Sequence, residues 1–181
     1  MEKPVIATDL ELTDRSRQRI AALCARYPTR QSALMPCLWV IQDEHGWVPA
    51  AAVPYLVDAL GVSEARVHEL LTFYTMFRTE KPAKYVLQVC RNISCHLLGA
   101  REVIAHLEKR LGIRLGETTP DGRFALAGVE CLGACGHGPV LQLGKHFYEQ
   151  LTPARVDAIL ESLRRDVVPR ADTDRLFEED R

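Results

Sequence analysis

Four of the six cysteines fall in two close pairs, and their spacing is what gives this sequence a chemistry. Cys90 and Cys95 are separated by Arg91-Asn92-Ile93-Ser94, and Cys131 and Cys135 by Leu132-Gly133-Ala134. Thiolates are soft ligands that select zinc or iron–sulfur centres, and four of them together make a tetrahedral sulfur site or anchor a binuclear iron cluster. Structural zinc sites favour shorter knuckles than a four-residue gap. A thiol–disulfide enzyme would place two residues between its cysteines at a helix start, and neither pair does so. The spacing points first to one 2Fe-2S cluster on Cys90, Cys95, Cys131 and Cys135, with a zinc-stapled interaction module as the alternative of another class.

Such a cluster creates a charge problem that the neighbouring residues address. Two ferric ions, two sulfides and four thiolates carry a net double negative charge, which reduction makes triple. An anion of that strength is tolerable inside a protein only with N–H donors, solvent or nearby cations. Gly133, Gly136 and Gly138 surround the second pair, and a loop poor in side chains can turn its backbone N–H groups toward sulfur. Arg91 and His96 flank the first pair and His137 follows the second, so they supply part of the compensation. Cys24 and Cys37 lie on apolar helical stripes, where cysteine acts as a small hydrophobe, and are left out of the site. None of the histidines stands at a ligand spacing from another. With no Gly-x-Gly-x-x-Gly after a strand and no Gly-Lys-Ser/Thr loop, nucleotide sites are expected elsewhere, on a partner.

The elements that must hold these pairs are legible on either side of them. Ile20, Leu23, Cys24 and Tyr27 recur at helical spacing, as do Leu34, Cys37, Leu38 and Ile41; Val53, Leu56, Val57 and Leu60; and Val67, Leu70, Leu71 and Tyr74. Ser63 is a good N-cap, and Gly46 and Gly61 are C-terminal stops. A bundle of about four helices over residues 13–77 follows. Thr72 to Phe77, with three aromatics, reads as core sooner than as a docking surface, and Trp47 as a cap on the bundle. Thr79-Glu80-Lys81-Pro82 ends the helical pattern and marks the domain boundary. Beyond it come a strand over Tyr85 to Val89 closed by Cys90, a helix from about Leu98 to Leu111, and a strand over Phe124 to Val129 closed by Cys131. A hairpin bent at Gly144 and a last helix opened by Thr152-Pro153 complete the order. The 35 residues between the two pairs suffice for a strand–helix–strand crossover that returns the second loop beside the first.

The totals agree with a protein partner. Over 181 residues, 23 basic against 24 acidic side chains leave the net charge near zero, which advertises neither nucleic acid nor an anionic membrane. No run approaches the ~20 apolar residues of a membrane helix, and no signal-peptide core is evident, so the chain is expected in the cytoplasm, where cysteines stay reduced.

Several segments together carry a family resemblance. They are Ser32-Ala33-Leu34-Met35-Pro36, Gln42 to Trp47, Thr72-Phe73-Tyr74-Thr75-Met76-Phe77, Leu87-Gln88-Val89-Cys90 and Val129-Glu130-Cys131-Leu132-Gly133-Ala134-Cys135. With them the chain resembles the peripheral 2Fe-2S subunit of bacterial NADH:quinone oxidoreductase, respiratory complex I, over roughly residues 15 to 165. The resemblance implies an α+β fold: an N-terminal helical region in residues 1–80, a thioredoxin-like ferredoxin domain in 81–165 and a charged tail, 166–181, to which no role is assigned. It implies all four cysteines as ligands of one 2Fe-2S cluster and a relay function with no catalytic residue. Single electrons would pass to and from the flavin of the flavin- and NADH-binding subunit of the same complex, further peripheral-arm subunits being partners too. The location implied is the cytoplasmic face of the inner membrane, reached through the complex without membrane insertion. The diaphorase 2Fe-2S subunit of an NAD-linked hydrogenase or formate dehydrogenase is the alternative assembly.

Overall fold

Local sequence signals set the helices of the N-terminal region in the computed structural model, which describes residues 10–173. Thr13 accepts a hydrogen bond from the Ser16 N–H and starts α1 (Asp14–Arg26); Glu44 in turn accepts from the Thr13 N–H at 2.8 Å and ties α1 to α2 (Leu34–His45). Gly46 and Gly61, both left-handed at φ +80 and +64, stop α2 and α3 (Ala52–Leu60), a conformation that costs a β-carbon-bearing residue about 1 kcal/mol or more. Ser63 accepts from the Arg66 N–H and starts α4 (Glu64–Phe73). The apolar stripes meet around Leu34, Leu38, Ile41, Leu56 and Leu60, all essentially inaccessible. Each contributes roughly 1.5–3 kcal/mol by leaving water. The aromatic segment after α4 divides: Phe77 is buried against Trp39, ring centroids 5.4 Å apart, whereas Phe73 and Met76 face solvent. Gln42, buried in α2, fixes that segment by donating to the Met76 carbonyl at 2.9 Å and accepting from the Arg78 N–H at 2.8 Å.

The chain divides into two units, the first ending at Pro82 and the second beginning at Ala83. Among the described residues the second unit is a four-stranded sheet in the order β2-β1-β3-β4, formed by β1 (Tyr85–Cys90), β2 (Phe124–Val129), β3 (Leu141–Leu143) and β4 (His146–Tyr148). β1 and β2 are parallel with Cys90 opposite Val129; β3 runs antiparallel to β1, and β4 to β3. The crossover between β1 and β2 carries α5 (Ile93–Leu97) and α6 (Ala100–Leu111), and α7 (Pro153–Arg164) follows the hairpin, capped by Thr152. Leu87, Val89, Leu126 and Leu141 of the sheet bury against Val103 and Leu107 of α6 and Val156, Leu160 and Leu163 of α7.

The segment after α7 packs on this unit as far as it is described. Ala171 is buried, Tyr148 donates its hydroxyl hydrogen to the Pro169 carbonyl at 2.7 Å, and Arg155 pairs with Asp172 at 2.6 Å. Asp166 gathers Lys84, Tyr85 and Arg123. Residues 174–181, the remainder of the expected tail, lie outside the described residues. No described helix is long and apolar enough to cross a membrane.

Candidate metal centre

The loops that carry the two cysteine pairs start side by side because the strands that precede them are neighbours. Cys90 is the last residue of β1, and its N–H donates to the Val140 carbonyl at 3.1 Å; one step on, the Arg91 N–H donates to the Val129 carbonyl at 2.8 Å. Parallel pairing therefore continues to the point where the two cysteine loops leave the sheet side by side.

The sequence places both pairs in loops, and the structure differs at Cys95. Asn92 accepts a hydrogen bond from the Ile93 N–H at 2.8 Å and starts the short helix α5, in which Cys95 is buried. An asparagine just before Ile93 was the available signal, an N-cap that a five-residue helix makes easy to overlook. α5 buries Cys95 and leaves Ile93, Leu97 and Leu98 exposed on the outside.

Two of the four cysteines form a buried wall and two an exposed rim. Cys90 and Cys95 are 3% and 2% exposed and pack with Ala100 and Val140, with Leu132 and Ala134 of the second loop laid against them. Cys131 and Cys135 are exposed. The Cys95 thiol is pushed up to about 11, first by burial and then by the hydrogen bond and charge of Cys90, with a smaller push from Cys135; the Val140 N–H acts the other way. Cys135 of the second pair is thus within electrostatic reach of the first. Across the loops, the Cys90 Sγ stands 4.0 Å from the Glu130 carbonyl. At the rim, the Gly133 N–H donates to the Cys131 Sγ at 3.4 Å, so one N–H of the glycine loop is already turned toward sulfur.

Among the described residues no three His, Cys, Asp or Glu side chains surround a single point. The donor set is one that a thiolate-held cluster uses: only thiols, two of them walled by apolar side chains, and a loop tight enough for close approach. A β-carbon on Gly138 would lie 3.3 Å from both the Cα and the Sγ of Cys95 and 2.9 Å from Leu98 Cδ1. Cys24 and Cys37 stay in the helical unit, Cys37 fully buried with its thiol raised to about 12 by burial and by Cys24.

A family model described as thioredoxin-like 2Fe-2S ferredoxin matches residues 20–164. The chain belongs to that family. As a thioredoxin-like ferredoxin it carries a 2Fe-2S cluster, and the match begins in α1, so the helical unit is part of the family as well as the sheet. The chain is 51% identical over 148 residues to the second NADH-quinone oxidoreductase E subunit of Rhizobium meliloti (strain 1021), covering 82% of this chain and 88% of that one. The NADH-quinone oxidoreductase E subunit of Rickettsia conorii (strain ATCC VR-613 / Malish 7) is 39% identical over 144 residues, 78% of this ferredoxin and 86% of the relative. A crystal structure of an NAD+-reducing NiFe-hydrogenase in the air-oxidized state superposes with a TM-score of 0.64 at 23% identity, over 74% of this chain and 23% of that chain; that likeness concerns the fold.

Proposed function

We propose that this ferredoxin is the peripheral electron carrier of an NADH-quinone oxidoreductase, holding its cluster on Cys90, Cys95, Cys131 and Cys135. One observation carries the assignment of ligands: adjacent parallel strands release both cysteine pairs at the same sheet edge, with Cys90 and Cys95 walled off and Cys131 and Cys135 open. The extent of the match to the Rhizobium meliloti relative, 82% of this chain at 51% identity, favours that complex over a hydrogenase diaphorase, whose likeness is one of fold.

When bound, the cluster supplies reversible one-electron transfer. The chain's own part is to hold and insulate it. Leu132, Ala134, Ala100 and Val140 exclude water from the inner side, while the Gly133 N–H and solvent at the rim temper the charge added on reduction. The exposed rim, with Ile93, Leu97 and Leu98 beside it, is the side from which a flavin- and NADH-binding subunit supplies electrons. Further peripheral-arm subunits are partners of the assembled complex, which holds this chain at the cytoplasmic face of the inner membrane.

The test is reduction by NADH. Purified, cluster-loaded protein should contain about two irons and two acid-labile sulfides per chain. Its visible and EPR spectra should change with dithionite but not with NADH alone. Adding the flavoprotein subunit should make the same change NADH-dependent. Zinc in place of iron, or reduction by NADH without a flavoprotein, would overturn the reading.

A further inference from the structure

Arg91 and Glu130 stand next to the cysteines in sequence, and the arginine stem lies over a glycine. Arg91 follows Cys90 and Glu130 precedes Cys131, so each begins one of the two ligand loops. Their side chains meet across the sheet edge, Arg91 Nη2 to Glu130 Oε1 at 2.6 Å. The arginine reaches there by lying across Gly128. A β-carbon on Gly128 would fall 2.6 Å from Arg91 Cδ, 2.7 Å from Nε and 3.0 Å from Leu115 Cδ2, so the missing side chain is the bed of the guanidinium stem. Gly128 keeps an ordinary φ, so backbone strain does not explain it and the space it leaves does.

Stability is a poor account of this arrangement. The two side chains are 46% and 83% exposed, and exposed ion pairs contribute little to folding. Charge placement is a better account. A guanidinium stays charged at every working pH, and reduction adds one negative charge beside it. Glu130 acts in the opposite sense but stands further into solvent, which screens it more than the less exposed arginine. The pair is therefore neutral as a whole and unequal at the cluster.

We propose that Arg91, bedded on Gly128 and held by Glu130, is a positioning residue that fixes a permanent cation at the mouth of both ligand loops and thereby sets the cluster's reduction potential. The inference rests on the four cysteines being the ligands, and iron and sulfide content distinguishes a failure of that assignment from a failure of this one.

The experiment is mediated potentiometry of the full cluster-loaded chain, with the reduced EPR signal as readout. Arg91→Gln should lower the potential by about a tenfold change in the reduction equilibrium, about 59 mV for one electron. Glu130→Gln should raise it by less, and the double variant should fall between them. Gly128→Ala leaves every charge in the chain but evicts the side chain, and should lower the potential in the same direction as Arg91→Gln. Arg91→Lys, which keeps the charge, should stay nearer the parent than Arg91→Gln does. A merely structural clamp would move both single variants the same way or neither, and either result overturns the proposal. Should Arg91→Gln not load iron, Gly128→Ala and Glu130→Gln decide alone: opposite shifts sustain the proposal, equal or absent shifts end it.

Discussion

Gly138→Ala should loosen the cluster while Gly136→Ala, two residues earlier in the same loop, should not. Gly138 has φ −66 and ψ 160, which alanine adopts freely, so the consequence is steric. The new methyl would meet Leu98 Cδ1 at 2.9 Å, the end of an exposed side chain that can turn away. It would also meet the Cα and Sγ of Cys95 at 3.3 Å, and these can yield only if α5 moves by a few tenths of an ångström. Overpacking a fitted site costs about 1–3 kcal/mol, and one methyl against one yielding contact belongs in the lower half of that range. About 1–2 kcal/mol on the loaded state corresponds to roughly 5- to 30-fold. A methyl on Gly136 meets nothing within 4 Å. The assay is loss of visible cluster absorbance in excess iron chelator, anaerobically, with parent, Gly136→Ala and Gly138→Ala side by side. Indistinguishable release rates for the two variants would refute the claim that Gly138 is the seam between the second loop and Cys95.

Three further outcomes are expected. Cys95→Ala or Cys131→Ala should abolish the cluster signal, whereas Cys24→Ala and Cys37→Ala should leave the spectrum unchanged, the buried Cys37 losing no more than the ~1.5 kcal/mol of a methyl-sized cavity in urea unfolding. Gln42→Ala strips partners from the Met76 carbonyl and the Arg78 N–H and should lower the urea midpoint of the helical unit by an amount worth about 1–3 kcal/mol, with Gln42→Glu, which cannot donate to Met76, no better. The hydrogen bond from Lys84, with Tyr85 and Arg123, holds the Asp166 carboxyl below its usual 3.8. Its stabilisation is complete above that value and is lost as pH falls toward the folded one, so Asp166→Asn should flatten the acid limb of a melting-temperature profile.

What could be read in the sequence was whatever is local. The stripes through Ile20, Leu34, Leu56 and Val67, the cap at Ser63 and the stops at Gly46 and Gly61 all depend on near neighbours, and each lies on the helix that its pattern indicates. The same holds for the strands over Tyr85 to Cys90 and Phe124 to Val129, and for Thr152 at the start of α7. That the two cysteine loops leave neighbouring strands could be reasoned out because a crossover of that length permits a parallel neighbour. What escaped is non-local or small. The helix α5 is too short to show a period, and the bed that Gly128 offers Arg91 exists only once β1 and β2 pair. Phe73 points outward although its aromatic neighbour Phe77 is core, because the chain leaves helical geometry at Tyr74.

The packing of Asp166 to Thr173 bears on where this protein can be cut. The family match stops at residue 164, and a fragment designed to that boundary would end at the last residue of α7. It would remove Asp166 from Lys84 and Arg123, Pro169 from the Tyr148 hydroxyl and Asp172 from Arg155, and would take the buried Ala171 out of the core. Tyr148 is 1% exposed in the intact chain, so the cut would take the Pro169 carbonyl from its hydroxyl and bring solvent to a buried side chain. A fragment meant to keep these contacts therefore extends at least to Thr173, nine residues beyond the end of the family match.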